Sequence, residues 1–225
     1  MDRHSEVEAK FEADGLTPGQ VQAFVDSLPG RGYWRCRQYL KADGVDTFYR
    51  IGEGVFRSRR DDIRTDRRYD PSGNWEDQPE RVDCCLTVKE RKSDRNLLDR
   101  HEVDLHVGRQ DPDDVRAFVR LLGGTEAFRI AKTYDVWMLQ CGGFGTGGYR
   151  PTGTELCLAL YDASRPDGSD RRRFLEIEVE KHSTCSTADG HETLKGWIST
   201  LREEFELGAP VNVSLQELYA PKEQP

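Results

Sequence analysis

The residues Glu6-Val7-Glu8-Ala9-Lys10 alternate charged and apolar side chains. In a β-strand, positions i, i+2 and i+4 share a face, so Glu6, Glu8 and Lys10 point one way and Val7, Ala9 and Phe11 the other. Neighbouring carboxylates repel and are best accommodated by a divalent cation or fixed positive charge. The arrangement recurs late in the chain, where Glu176, Glu178 and Glu180 share one face and Leu175, Ile177 and Val179 the other. Between these acidic stretches the charge reverses. Arg57 and Arg59 flank Ser58, Lys89 and Arg91 share a face, Arg100 lies beside Glu102 and Asp104 in alternation, and Lys132 lies further on. Ordinary solvated faces intersperse the two signs. Here glutamates gather on the first and last charged segments and mostly Lys and Arg on the middle ones. Such a set suits a polyphosphate bridged to metal. Lys and Arg neutralise phosphate oxygens, Arg bidentately, and carboxylates hold Mg²⁺ or Mn²⁺. Each charge-assisted hydrogen bond contributes roughly 1.5–3 kcal/mol.

The elements that must position these groups are mostly strands. Strand patterns cover residues 5–13, 33–40, 46–51, 54–59, 82–92, 98–107, 127–141, 154–162 and 172–181. Three amphipathic helices are expected. Thr17 caps the first, Pro18 opens it, and Val21, Phe24, Val25 and Leu28 form its apolar stripe. The second follows Pro112, carries Val115, Phe118, Val119 and Leu122, and ends at Gly123-Gly124. The third carries Leu194, Trp197, Ile198, Leu201 and Phe205 and stops near Gly208, and a short turn spans residues 214–219. Helices so unevenly spaced do not make a βαβ repeat, so a mostly antiparallel α+β fold is expected. If the sheet closes with its charged faces inward, the helices pack on the outer apolar faces and no edge remains exposed. Residues 65–79 are polar and rich in turn formers and read as a long loop. The glycine-rich residues 141–149 lack a GK[ST] sequence and read as a flexible hairpin tip rather than a phosphate loop.

Composition narrows the classes further. The chain has 225 residues, of which 36% are hydrophobic and 33% charged; the low apolar fraction is what a fold with a wet, charged interior would show. A net charge of -8 disfavours extended nucleic-acid contacts without touching a local basic pocket. The six cysteines show no CxxC pair or zinc spacing and read as reduced thiols. The five histidines show no metal-ligand spacing. With no apolar leader and no run near the ~20 residues of a membrane span, a soluble cytoplasmic protein is expected.

In order along the chain, these motifs resemble the CYTH, or triphosphate tunnel metalloenzyme, superfamily. The ExExK signature is matched by Glu6 to Lys10, and a following Asp-Thr-Tyr-Tyr-like strand by Asp46-Thr47-Phe48-Tyr49. RxR is matched by Arg57-Ser58-Arg59, KxR by Lys89-Glu90-Arg91, and an RxExE-like strand by Arg100-His101-Glu102-Val103-Asp104. The terminal ExE is matched by Glu176-Ile177-Glu178, which Glu180 extends. The resemblance implies one domain over residues 1–225, built as a closed eight-stranded antiparallel tunnel with helices outside. It implies metal ligation by Glu6, Glu8, Glu176, Glu178 and Glu180, with Glu102 and Asp104 orienting basic groups or a second metal. Lys10, Arg57, Arg59, Lys89, Arg91, Arg100 and Lys132 become the phosphate-binding set, and Glu6, Glu8, Lys10 and Glu178 the catalytic one. There are departures. A late KxR reads Lys132-Thr133-Tyr134, and the aspartate expected on a late strand is offered, one position late, by Leu160-Tyr161-Asp162.

The expected activity is Mg²⁺- or Mn²⁺-dependent hydrolysis of a triphosphate: inorganic tripolyphosphate, a nucleoside triphosphate or thiamine triphosphate. A class IV adenylate cyclase, making cyclic AMP and pyrophosphate from ATP, is the alternative on the same scaffold. A non-catalytic module that sequesters a phosphorylated nucleotide is a third. The expected partner is a small triphosphate or nucleotide, with no membrane and no nucleic acid beyond an RNA 5′-triphosphate end.

Overall fold

A computed structural model describes residues 2–31, 34–52, 54–70, 74–91, 99–108, 112–145, 148–180 and 187–221. Side chains are described for residues 7–29, 34–52, 56–70, 74–87, 113–141, 155–179 and 190–221. Among the described residues, nine strands and four helices follow one another: β1 (Asp2–Glu12), α1 (Pro18–Arg31), β2 (Trp34–Ile51), β3 (Gly54–Tyr69), β4 (Trp75–Asp77), β5 (Arg81–Arg91), β6 (Asp99–Gly108), α2 (Pro112–Leu121), β7 (Thr125–Gly145), β8 (Gly148–Ser164), β9 (Arg172–Glu180), α3 (Thr187–Phe205) and α4 (Leu215–Tyr219). The strands pair in the order β2-β7-β8-β9-β1-β6-β5-β3-β4, and β2 pairs with β3 as well as with β7. Every pairing is antiparallel. The architecture is therefore α+β, as the uneven helix spacing predicts.

Alternation decides which face is covered. Val7, Ala9 and Phe11 of β1 and Leu175, Ile177 and Val179 of β9 are buried in one core with Val21, Phe24, Val25 and Leu28 of α1 and Leu194, Trp197 and Leu201 of α3. Trp137 and Leu139 of β7 and Leu156, Leu158 and Leu160 of β8 complete it. Burying such side chains contributes roughly 1.5–3 kcal/mol each, so the apolar stripes of α1 and α3 hold those helices to the sheet. α2 follows its expected stripe only in part. Val115 and Val119 are buried against Tyr49, whereas Phe118 and Leu122 are 53% and 54% exposed.

Three segments depart from the linear reading. Residues 33–40 and 46–51 read as separate strands, yet β2 is continuous, because residues 41–45 pair with β3 on one side and β7 on the other. Pairing on both edges overrides the turn signals of Asp43-Gly44, and the residual misfit appears as register shifts at Lys41/Ala42, Cys36/Gln38 and Phe48/Tyr49. Residues 65–79 are not one loop either. β3 runs on to Tyr69, and β4 folds back on it with Tyr69 opposite Trp75. The two rings meet edge to face, and Asp66, fully buried, takes Arg68, Arg81 and Gln38, which supplies the stabilisation that polar composition hides. Residues 142–145 pair with 148–151 as the arms of a hairpin, the last described pair being Gly145 opposite Gly148. Cys36, Cys84, Cys85, Cys141 and Cys157 are free thiols, and no described helix is long and apolar enough to cross a membrane.

Gly44 lies close to the side chains of Asp61 and Tyr134. A Cβ there would lie 2.6 Å from Asp61 Oδ1 and 3.1 Å from Tyr134 Cε1. Gly44→Ala is expected to destabilise the protein by about 1–3 kcal/mol through overpacking. Urea unfolding with an unchanged midpoint would contradict that.

Candidate functional site

The faces turned away from the helices meet in one cavity of about 150 Å³. Glu8 and Lys10 enter it from β1, Asp46 and Phe48 from β2, Arg57 and Arg59 from β3, Thr87 from β5, Lys132 from β7 and Glu176 from β9. Ser214, Leu215 and Gln216 line it from the C-terminal segment. That segment is pinned in place. The Val211 N–H donates to the Lys10 carbonyl at 2.6 Å, Ser214 and Glu217 form a capping box, and the Tyr219 hydroxyl lies 2.8 Å from the carbonyls of Ala163 and Asp170.

Antiparallel register brings the acidic strands together. Glu8 lies opposite Glu178, and Lys10 opposite Glu176. Carboxylate oxygens of Glu8, Glu176 and Glu178 come within 4.8 Å of one another. Three hard oxygen donors converging this closely fit Mg²⁺ or Mn²⁺, whose charge would relieve their mutual repulsion. The Tyr161 hydroxyl donates to Glu176 Oε2 at 2.8 Å.

The basic side is organised by Asp46, a residue that the charge pattern does not single out. Its carboxylate takes Arg59 Nε at 2.9 Å and Lys132 Nζ at 2.6 Å, and the residue is 1% exposed. Burial alone would raise its proton affinity, but Arg59, Lys132 and Arg57 outweigh burial and hold the carboxyl well below the usual range. Lys132 balances the other way. Burial, helped by Arg59 and Arg57, outweighs Asp46 and pushes the ammonium down to about 8. Arg57 Nη2 donates to Thr87 Oγ1 at 3.1 Å. Lys10 Nζ lies 5.9 Å from the Phe174 ring centroid and Lys132 Nζ 5.5 Å from that of Tyr161, so both ammonium groups rest near aromatic faces.

Of the residues expected from sequence, Glu8, Lys10, Arg57, Arg59, Lys132 and Glu176 line the cavity, and Glu178 joins the carboxylate group. The side chains of Glu6, Lys89, Arg91, Arg100, Glu102, Asp104 and Glu180 lie outside the described residues. Backbone register sets Glu6 opposite Arg100 and Glu180, and Lys89 opposite Glu102. Asp162 does not supply the late aspartate. It points away and binds Arg171 and Arg173, while Tyr161 faces Glu176. Tyr134, standing where a second late cation is expected, pairs with Asp61 instead, whose carboxyl is pushed up by burial despite nearby Arg59. Asp46 is legible in the sequence as the first residue of the Asp46-Thr47-Phe48-Tyr49 motif, and Tyr161 as the residue beside Asp162 at the place of the late aspartate.

No protein-family model matches the chain, and no curated protein is recognisably similar in sequence. Solved structures do share its fold. The PH1819 protein of Pyrococcus horikoshii superposes with a TM-score of 0.55 at 16% identity, covering 95% of this chain and 97% of its own. PH1012 of the same organism gives 0.54 at 17%, covering 95% and 98%, and a conserved hypothetical protein of Pyrococcus furiosus gives 0.52 at 18%, covering 95% and 99%. At these identities the likeness is one of fold.

Proposed function

We propose that this chain is a CYTH-type triphosphate tunnel metalloenzyme that hydrolyses a triphosphate with Mg²⁺ or Mn²⁺. The observation that carries this reading is the convergence of Glu8 and Glu176 with Lys10, Arg57, Arg59 and Lys132 around one cavity, with Glu178 completing the carboxylate group. The pairing of β2 with both β7 and β3 supports a sheet closed as an eight-stranded tunnel around it. Lys10, Arg57, Arg59 and Lys132 would hold the phosphate chain and balance charge developing on its oxygens. Glu8, Glu176 and Glu178 would hold the ion, which supplies Lewis acidity and a place for the attacking water. Asp46 keeps Arg59 and Lys132 in position before substrate arrives. A space of about 150 Å³ suits a phosphate chain, being below the roughly 300–1,000 Å³ of pockets that enclose drug-sized ligands. The reading includes a cytoplasmic setting, in keeping with the free thiols.

The test is release of phosphate and pyrophosphate from tripolyphosphate, ATP and thiamine triphosphate, with Mg²⁺, with Mn²⁺ and with EDTA. Metal-dependent phosphate release is expected. Pyrophosphate together with cyclic AMP from ATP would mark a cyclase, and tight binding without turnover a sequestering module.

The pH dependence has a definite sign. Burial pushes the Lys132 ammonium down to about 8, and Lys132 is a better phosphate partner when protonated. Tripolyphosphate affinity measured calorimetrically in EDTA is expected to fall as pH rises through about 8. Flat affinity from pH 7 to 9 would contradict a Lys132 that both contacts phosphate and has its proton affinity lowered by burial.

A further inference from the structure

We propose that Tyr161 is a positioning residue that fixes Glu176 within the carboxylate group and ties that group to the basic wall at Lys132. The inference rests on reading Glu8, Glu176 and Glu178 as a divalent-metal site. Strand alternation turns Tyr161 inward while Leu160 joins the outer core and Asp162 is held outside by Arg171 and Arg173. The position that the resemblance expects to furnish a carboxylate thus furnishes a phenol.

The phenol reaches both charge systems. Its O–H donates to Glu176 Oε2 at 2.8 Å, and its ring lies 5.5 Å from Lys132 Nζ. The ring has little freedom to leave. Tyr161 is 5% exposed, lies 5.6 Å from the Phe174 ring, and is packed among Phe48, Ile130, Ala163 and Tyr219. A carboxylate hydrogen-bonded at one oxygen is held in orientation towards the other members of the group. Without that hydrogen bond, Glu176 has one partner fewer and more side-chain freedom to lose on binding a cation. Partners one step behind a metal ligand set its orientation in this manner, and losing one weakens metal binding by about 10–100-fold. The ring makes a separate contribution, since an aromatic face beside Lys132 stabilises the ammonium where a phosphate would meet it.

The two contributions separate in two variants. Tyr161→Phe removes the donor and keeps the ring; Tyr161→Leu removes both. Metal-free protein is titrated with Mn²⁺ alone, by electron paramagnetic resonance, and separately with tripolyphosphate in EDTA. Tyr161→Phe is expected to weaken Mn²⁺ binding by about 10–100-fold, to leave tripolyphosphate binding in EDTA close to native, and to lower the melting temperature in EDTA only by the few degrees that one lost hydrogen bond to a carboxylate costs. Tyr161→Leu is expected to weaken both ligands. If Tyr161→Phe binds Mn²⁺ like the native protein while Glu176→Gln does not, the role given to Tyr161 is wrong and the metal site stands. If Tyr161→Phe loses Mn²⁺, tripolyphosphate and melting temperature together, Tyr161 is a packing residue and the proposal fails. A native protein that takes up no Mn²⁺ overturns the metal site, and the role of Tyr161 with it.

Discussion

Replacing Glu8 and Glu178 together by Gln is expected to lower metal-dependent turnover by about 10³-fold or more. The two residues face each other across the β1–β9 ladder, and with Glu176 they bring carboxylate oxygens within 4.8 Å. Gln keeps the length of the side chain and one oxygen but removes the charge. One neutral oxygen cannot replace a charged one for a hard dication, so the Lewis-acid stabilisation, several kcal/mol, is lost; each 1.36 kcal/mol is tenfold in rate. Stability should move the other way. In EDTA, three converging carboxylates repel, and the double variant removes two of the three charges. Its melting temperature in EDTA should rise, by roughly 2–4 °C for each kcal/mol of repulsion relieved in a chain of this size. Lower turnover with higher metal-free stability is a pairing that general unfolding cannot produce. Full activity in the double variant would overturn the metal assignment.

The second large effect is expected at Asp46. Asp46→Ala leaves Lys132 and Arg59 without the carboxylate they share. Removing one partner from a buried ion pair costs about 3–5 kcal/mol, because the remaining charge is left uncompensated. Asp46→Asn preserves volume and reports on electrostatics. Asp46 is the main group opposing the downward push on the Lys132 ammonium. In Asp46→Asn the ammonium should therefore release its proton below about 8, and the high-pH limit of tripolyphosphate binding should move down with it. Lys132 has a lower proton affinity folded than unfolded, so the unfolded chain binds more protons between the two values. By linkage, the Lys132 contribution makes stability rise with pH across that window. The penalty of keeping it charged is fully present below about 8. In the Asn variant this rise should begin at lower pH. Stability and binding measured from pH 6 to 10 test both statements. An unshifted binding limit would mean that Asp46 does not govern the protonation of Lys132.

Much of this site is legible in the linear chain. The stretch from Glu6 to Phe11 and the stretch from Phe174 to Glu180 read correctly because their periodicity is two, and a slip of one residue would bury glutamates and expose Leu175, Ile177 and Val179. The stripes of α1 and α3 read correctly for the same kind of reason, a local period of 3.6. The pattern fails where packing on distant strands decides. Phe118 and Leu122 match the stripe of Val115 and Val119, yet of these four only the two valines are buried against the sheet. β2 continues through Asp43-Gly44 because both its edges are occupied.

The chain by itself determined which side chains share a face and that the acidic and basic faces are sorted, since alternation depends only on neighbouring residues. It also determined the helix stripes that cover the outer faces of β1 and β9. Only the tertiary structure decided which faces oppose one another. Asp46 lies between Arg59 and Lys132 because β2 is paired with β3 on one edge and β7 on the other, and Tyr161 reaches Glu176 because β8 is paired with β9. Those contacts depend on strand order and register, which are set by long-range hydrogen bonding and packing and leave no local trace in composition.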